Sequence, residues 1–329
     1  MIKIAVSIGD INGVGLECFA KSLNSLQPDV NSVQFILFGP IATIKDYFDS
    51  LNIEYSSSKN SIIINRFVVD IVPTETNADV EFGLVSELSG KLAAESIFSA
   101  VQYIKDGKAD ILLTLPINKK SISLSGFEFP GHTEMLGESF GTDPLMILFS
   151  NSVRVALVTV HVPVSKVSSL LRPRLIESKF ASFEKSLRED FGIKNPRIAI
   201  LGLNPHAGEQ GNIGIEELSY INDTVDKLNM NYNSSIVEGP FPADGFFGFG
   251  QYKNYDGILA MYHDQGLIPL KLLANGGGVN FTANLSIIRV SPDHGTAFPL
   301  AGKNMADPQS TLEAIQSGIN LSLNRINLL

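Results

Sequence analysis

Short runs dominated by Ile, Val and Leu recur along the chain, separated by longer stretches in which apolar residues return every three to five positions. The short runs cover residues 3–8, 33–38, 110–115, 145–149, 153–161, 197–203, 257–261 and 287–290. They are apolar at successive rather than alternate positions, which predicts strands covered on both faces. The longer stretches predict helices over residues 85–106, 173–190, 215–229 and 309–324. In the first of these, Leu88, Leu92, Ile97, Val101 and Ile104 make an apolar stripe with charges between them. Strand and helix patterns alternate from end to end, so the expected class is α/β with mostly parallel or mixed sheets. The serine-rich residues 56–61 read as an exposed turn or sheet edge. No internal repeat or long linker divides the chain, and any domains are expected to be interleaved.

Composition narrows the class. A length of 329 residues suits about two domains. The lone Cys18 can form no internal disulfide, and the first residues read as a strand rather than a signal peptide. No apolar run approaches the roughly 18 residues of a membrane span. Lys and Arg number 25 against 34 Asp and Glu, a net charge of −9, which disfavours nucleic acid and anionic membranes as partners. The expectation is a cytoplasmic two-domain protein; an anionic small molecule would need cations gathered locally.

Five segments carry candidate chemistry. Gly9-Asp10-Ile11-Asn12-Gly13-Val14-Gly15 follows the first strand. It reads equally as a backbone cradle for an anion or as a tight turn into a helix, because its spacing is not the dinucleotide fingerprint. His161, His206 and His263 each fall at or just beyond the end of a predicted strand, where ligands gather in α/β sheets. Together they would suit a divalent metal with open positions; singly each could be an ordinary satisfied polar residue. In Phe129-Pro130-Gly131-His132-Thr133, an imidazole, a hydroxyl and a helix start suit a phosphate or carboxylate, or Thr133 is simply an N-cap. Lys271, Asn280 and Arg289 place two cations in apolar sequence surroundings, either to bind an anion or to pair with Asp264 or Asp293. Last, Ser291-Pro292-Asp293-His294-Gly295-Thr296-Ala297 and the residues to Lys303 form a loop rich in small and polar residues after a strand.

Together with the run Leu113–Lys120, and with segments 202–209, 239–244, 260–271 and 279–303, these motifs resemble the 4-hydroxythreonine-4-phosphate dehydrogenase family of vitamin B6 biosynthesis along almost the whole chain. The resemblance implies two α/β/α domains with a cleft between them, as in isocitrate and isopropylmalate dehydrogenases. The expected division is 1–131 plus 291–329 for the first domain and 132–290 for the second, which would carry metal and dimer contacts. It implies NAD(P)-dependent oxidation of 4-phosphooxy-L-threonine, whose product decarboxylates to 3-amino-2-oxopropyl phosphate. It further implies a divalent metal (Zn, Mg or Co) on His161, His206 and His263, and substrate contacts at His132, Thr133, Lys271, Asn280 and Arg289. Lys271 and His132 are the candidate proton acceptors. The coenzyme's adenosine half is expected at His294, Gly295, Thr296, Ala297 and Gly302, and the molecule is expected to be a homodimer with a shared active site. Pro299 stands where an acidic residue is usual, which leaves NAD versus NADP open. Rival activities are oxidation of threonate or erythronate 4-phosphate and, from another class, metal-dependent hydrolysis.

Overall fold

The computed structural model describes residues 1–27, 32–127, 131–232 and 236–327. Two units emerge, Met1–Thr142 with Leu285–Ser322, and Asp143–Asn284 with Leu323–Leu329. The helix His132–Phe140 and the strand Ile288–Pro292 thus belong to the first unit, where the sequence expectation had put residues 132–290 in the second. The reason is packing. Ile288–Pro292 pairs in parallel with Ile111–Thr114, and Met135, Leu136 and Leu285 share an apolar cluster with Ile97 and Val101.

In the first unit the sheet runs Ile288–Pro292, Ile111–Thr114, Ile2–Ser7, Val33–Phe38, Phe67–Val72, Ser61–Ile64, Ser56–Ser57. The first five strands are parallel, and the last two turn back as an antiparallel edge. The helix Glu87–Lys105 buries Leu92, Ile97, Val101 and Ile104 of the predicted stripe, while Leu88 in its first turn is exposed. The Ser86 hydroxyl caps this helix by accepting the Ser89 N–H.

The second unit orders its strands Ile236–Phe241, Arg197–Leu201, Gly257–Ala260, Arg154–Leu157, Leu145–Phe149, Val279–Ala283. The first four are parallel and the last two antiparallel. The strand predicted over 153–161 ends at Leu157, although the N–H groups of Val158 and Thr159 still donate to the carbonyls of Ala260 and Met261. The helix predicted over 215–229 opens with a π-helical turn, Glu217–Ile221, before Asn222–Asn231 continues as α-helix. Among the described residues no helix is long and apolar enough to cross a membrane.

Candidate active site

His206, His263 and His161 follow the carboxyl ends of three neighbouring parallel strands, Arg197–Leu201, Gly257–Ala260 and Arg154–Leu157. Register places two of them side by side. Ala260 lies opposite Leu157, so His263 and His161 emerge three and four residues later on adjacent strands, with ring centroids 6.1 Å apart. With tetrahedral Zn–N bonds of about 2.0–2.1 Å, two rings on one ion would have centroids about 5.2 Å apart, so this pair stands about 1 Å wider than ligation of one such ion asks. His263 Nδ1 lies 2.7 Å from Asp264 Oδ1. With Nδ1–H donating there, Nε2 is left for a metal, the usual carboxylate–imidazole arrangement around such ions. Gln265 ties the histidine-bearing ends together: its Oε1 accepts the Met261 N–H at 2.7 Å and its Nε2 donates to the Gly202 carbonyl at 2.6 Å. His206 does not complete a set with the other two: among the described residues of one chain, no three His, Cys, Asp or Glu side chains gather as a metal-holding group.

His206 instead opens a left-handed turn. Its φ, ψ of 52°, 28° are followed by 49°, 44° at Ala207, 80°, −4° at Gly208, 45°, 54° at Glu209 and 53°, 33° at Gln210. For L-residues this conformation costs roughly 1–2 kcal/mol each, and four of the five are not glycine. Glu217, 2% exposed, lies against the turn. Its Oε1 accepts the N–H groups of Leu203 and Asn204, and its Oε2 accepts Asn204 Nδ2, all at 2.8 Å. A Cβ on Gly208 would lie 2.7 Å from that Oε2, so only glycine lets the carboxylate approach. Asn204 Nδ2 also donates to Glu216, and the Ser168 hydroxyl donates to the same carboxylate. Those two hydrogen bonds, Ser168 first, hold the Glu216 carboxyl below its ordinary range.

In the first unit a cationic cluster forms around Arg289, the largest fully buried side chain, 1% exposed. A guanidinium withdrawn from water needs donors satisfied and charge balanced. Nη2 donates to Thr114 Oγ1 at 2.6 Å. Burial brings Arg289 down to about 9 while the Glu134 carboxylate pulls the other way, so it stays charged at neutral pH. His132 is held well below the usual imidazole range, by burial first and then by the cations Arg289 and Lys119, and is therefore neutral.

The helix here begins at His132, with Gly131 as its N-cap, so Thr133 lies inside the first turn and is not the cap. Gly131 has φ 152°, and the Glu134 carboxylate occupies the space a Cβ there would need. The N-cap glycine supplies no side-chain acceptor to the first N–H groups of this helix. Phe129 and Pro130 lie outside the described residues. Lys271 departs from the expectation drawn from its apolar neighbours: it is exposed on the helix His263–Ala274, beside exposed Ile268 and Leu272. Apolar residues adjacent in sequence fan around a helix and do not imply burial. The Asn280 carbonyl Oδ1 is buried and has no hydrogen-bond partner among the described residues, as suits a ligand-facing acceptor.

Residues 294–302 and the first glycine loop are built against each other. The Val14 N–H donates to the Thr296 carbonyl at 3.0 Å, and a Cβ on Gly13 would lie 2.7 Å from that oxygen. Gly9 is pressed likewise on the Pro116 carbonyl, so these glycines serve close backbone approach, the tight-turn reading of that loop. Lys21 donates to the carbonyls of Asn304 and Ala306, and buried Glu17 accepts the Ala306 N–H, fixing the far end of the loop. Ala297 and Gly302 take left-handed φ of 45° and 80°. His294 Nε2 is buried without a hydrogen-bond partner among the described residues. Gln265 and Glu217 were given no role by sequence, Thr114 and Lys119 entered only inside the run Leu113–Lys120, and Asp264 only as an alternative ion-pair partner for the cations. The only signal for Glu217 is an acidic pair, Glu216-Glu217, close behind a glycine-bearing turn.

The family model described as pyridoxal phosphate biosynthetic protein PdxA matches residues 31–318. A 4-hydroxythreonine-4-phosphate dehydrogenase of Bacteroides thetaiotaomicron is 40% identical, covering 98% of this chain and 90% of that one. A protein of Oceanobacillus iheyensis named "Putative D-threonate 4-phosphate dehydrogenase" is 35% identical, with 97% of each chain covered. The crystal structure of the Klebsiella pneumoniae 4-hydroxythreonine-4-phosphate dehydrogenase superposes with a TM-score of 0.80 at 33% identity, covering 98% of this chain and all of the other. The fold is accordingly the isocitrate/isopropylmalate dehydrogenase-like α/β fold, and the chain belongs to the pyridoxal phosphate biosynthetic protein PdxA family.

Proposed function

We propose that this protein oxidises 4-phosphooxy-L-threonine at its secondary alcohol, with NAD or NADP, to 2-amino-3-oxo-4-phosphooxybutanoate. That product then loses CO2 to give 3-amino-2-oxopropyl phosphate, on the way to pyridoxal 5'-phosphate. The observation that carries the reading is the placement of His161, His206 and His263 at the ends of three adjacent parallel strands, in a chain of this family. These imidazoles would hold a divalent ion, and three nitrogen donors favour Zn or Co over Mg, whose preferred ligands are oxygens. When bound, the metal supplies Lewis-acid polarisation of the substrate oxygen, and the nicotinamide supplies the hydride acceptor.

The chain's own residues do the rest. Arg289 and the N-terminus of the helix His132–Phe140, with Thr133, take the phosphate; Asn280 and Lys271 contribute further polar contacts. His132, neutral beside two cations, can accept a hydrogen bond from the substrate; as candidate proton acceptor it would gain a charge that Arg289 and Lys119 oppose. Lys271 is the second candidate acceptor. Residues 294–302 receive the adenosine half of the coenzyme, and Pro299 offers no carboxylate to a ribose hydroxyl, which leaves room for either coenzyme.

The working molecule is a homodimer in which a second copy completes the histidine set. Exposed apolar residues follow each histidine along the chain: Val164 after His161, Ile213, Ile215 and Leu218 after His206, and Ile268 with Leu272 after His263.

The test is a coupled assay with 4-phosphooxy-L-threonine, D-threonate 4-phosphate and erythronate 4-phosphate, each with both coenzymes and with Zn, Mg or Co. Highest kcat/KM for 4-phosphooxy-L-threonine is expected. A preference for D-threonate 4-phosphate would support the second reading, which the name of the Oceanobacillus relative favours. No nicotinamide binding at all would overturn both and favour a metal-dependent hydrolase.

A further inference from the structure

We propose that Glu217 is a positioning residue for His206: its buried carboxylate holds the left-handed turn that carries this imidazole. The inference rests on the reading of His206 as a metal ligand.

The turn has little reason to persist alone. His206, Ala207, Glu209 and Gln210 are all L-residues with positive φ, a conformation that relaxes unless the surroundings fix it. The turn Pro205–Gly211 carries its own 3-10 backbone bonds, with Ala207 N–H to Asn204 at one end and Asn212 N–H to Glu209 and Gly208 at the other, but its hand is the disfavoured one for L-residues. Glu217 acts on both its entry and its middle. The Leu203 and Asn204 N–H groups, which feed the chain into His206, point at Oε1; Gly208, at the centre, lies against Oε2.

The three hydrogen-bond partners of this carboxylate among the described residues are N–H donors: two backbone groups on Oε1 and Asn204 Nδ2 on Oε2. A carboxylate satisfies them all, whereas a carboxamide would turn its NH2 on Asn204 Nδ2 or on the two N–H groups. The π-helical turn Glu217–Ile221 sets the side chain at this point, with Ile221 buried as its anchor. The strand leading into the turn does not depend on Glu217, because Arg197–Leu201 is paired on both edges, with Ile236–Phe241 and with Gly257–Ala260. Losing the carboxylate is therefore expected to free the turn and leave the sheet standing.

Glu217→Gln removes the acceptor facing Asn204, and Gly208→Ala breaks the same contact from the turn's side. Each is compared with the parent and with His206→Ala, as full-length protein stripped of metal and titrated with Co(II), following the visible absorption of the bound ion. The melting temperature of the metal-free protein and the split of kcat from KM for 4-phosphooxy-L-threonine are measured alongside. Both variants are expected to bind Co(II) about 10–100-fold more weakly with an altered spectrum. The melting temperature of Glu217→Gln should stay near the parent's, that of Gly208→Ala should fall by the strain of a Cβ at φ 80°, and in both kcat should fall much more than KM rises.

If His206→Ala loses Co(II) while both variants bind it as the parent does, the positioning role is wrong and the ligand assignment stands. If His206→Ala binds Co(II) like the parent, the ligand assignment fails and takes this proposal with it. If neither Glu217→Gln nor Gly208→Ala folds, Glu217 holds the fold rather than the turn, which equally overturns it.

Discussion

At the scale of single residues, burial decides what the charged groups can do. Arg289 is enclosed, tied to Thr114 and faced by Glu134, so it is oriented before any ligand arrives. Truncating an oriented cation that meets a phosphate costs the charge-assisted bonds and their geometry together. Arg289→Ala should lose roughly 2–4 kcal/mol in kcat/KM for the phosphorylated substrate, mainly through KM, with the coenzyme's KM little changed. Equal loss with unphosphorylated 4-hydroxythreonine would contradict a phosphate role.

His132 carries a pH consequence as well. Its folded value lies below the ordinary imidazole value near 6.5, so the unfolded chain binds the proton more readily. Its contribution to stability is complete above about pH 6.5 and is lost as pH falls from there toward the folded value. His132→Gln should therefore flatten the fall in unfolding free energy between pH 7.5 and 5, as read by urea titration. An unchanged slope would mean that His132 is not the group responsible.

At the scale of elements, close approach is bought with glycine. Gly90, in the helix Glu87–Lys105, sits where a Cβ would overlap the Ser121 carbonyl of the helix Lys119–Leu124. Gly90→Ala should force the two helices apart at a cost of about 1–3 kcal/mol, seen as a lower urea midpoint. The same shift carries Lys119, whose charge acts on His132, so KM for the phosphorylated substrate should rise severalfold in the folded variant. A parental midpoint would show that the helices have slack.

The elements also show what the sequence could and could not convey. Val33–Phe38 and Leu145–Phe149 were legible residue for residue, because strands buried on both faces are apolar nearly throughout, Gln34 being the one polar position of the two. Phe67–Val72 was not, since its buried positions alternate with exposed or half-buried ones, Asp70 among them, and it pairs on one side with the short antiparallel Ser61–Ile64. The histidines were legible as strand ends. The turn holding His206 was not: only Gly208 hints at positive φ, and the rest is imposed by Glu217 from across the loop. Arg289 was rightly singled out by its apolar context, whereas the same reasoning misplaced Lys271.

At the scale of the whole molecule, the histidines set an association problem. His161 and His263 stand together beyond neighbouring strands of one chain, with Asp264 beside the second, while His206 begins a left-handed turn and no third ligating side chain joins the pair among the described residues. Leu218 at 55% exposure and Leu272 at 78% are costly to leave in water beside such a site, and a second copy would cover them. In a two-fold dimer each site would then join His161 and His263 of one chain to His206 of the other. The prediction follows from counting intact sets. Mixing His161→Ala with His206→Ala leaves one of the two sites of each heterodimer whole, and so does mixing His263→Ala with His206→Ala. Mixing His161→Ala with His263→Ala restores none, because every site keeps one defect. Subunit exchange under mild denaturant, followed by activity and Co(II) stoichiometry, reads the pattern directly. Sedimentation should give a dimer at assay concentration, and Leu272→Glu should shift it toward monomer and lose metal with it. Recovery with the His161/His263 pair would place those two on different chains, and no recovery from any pair despite demonstrated exchange would return the whole site to a single chain.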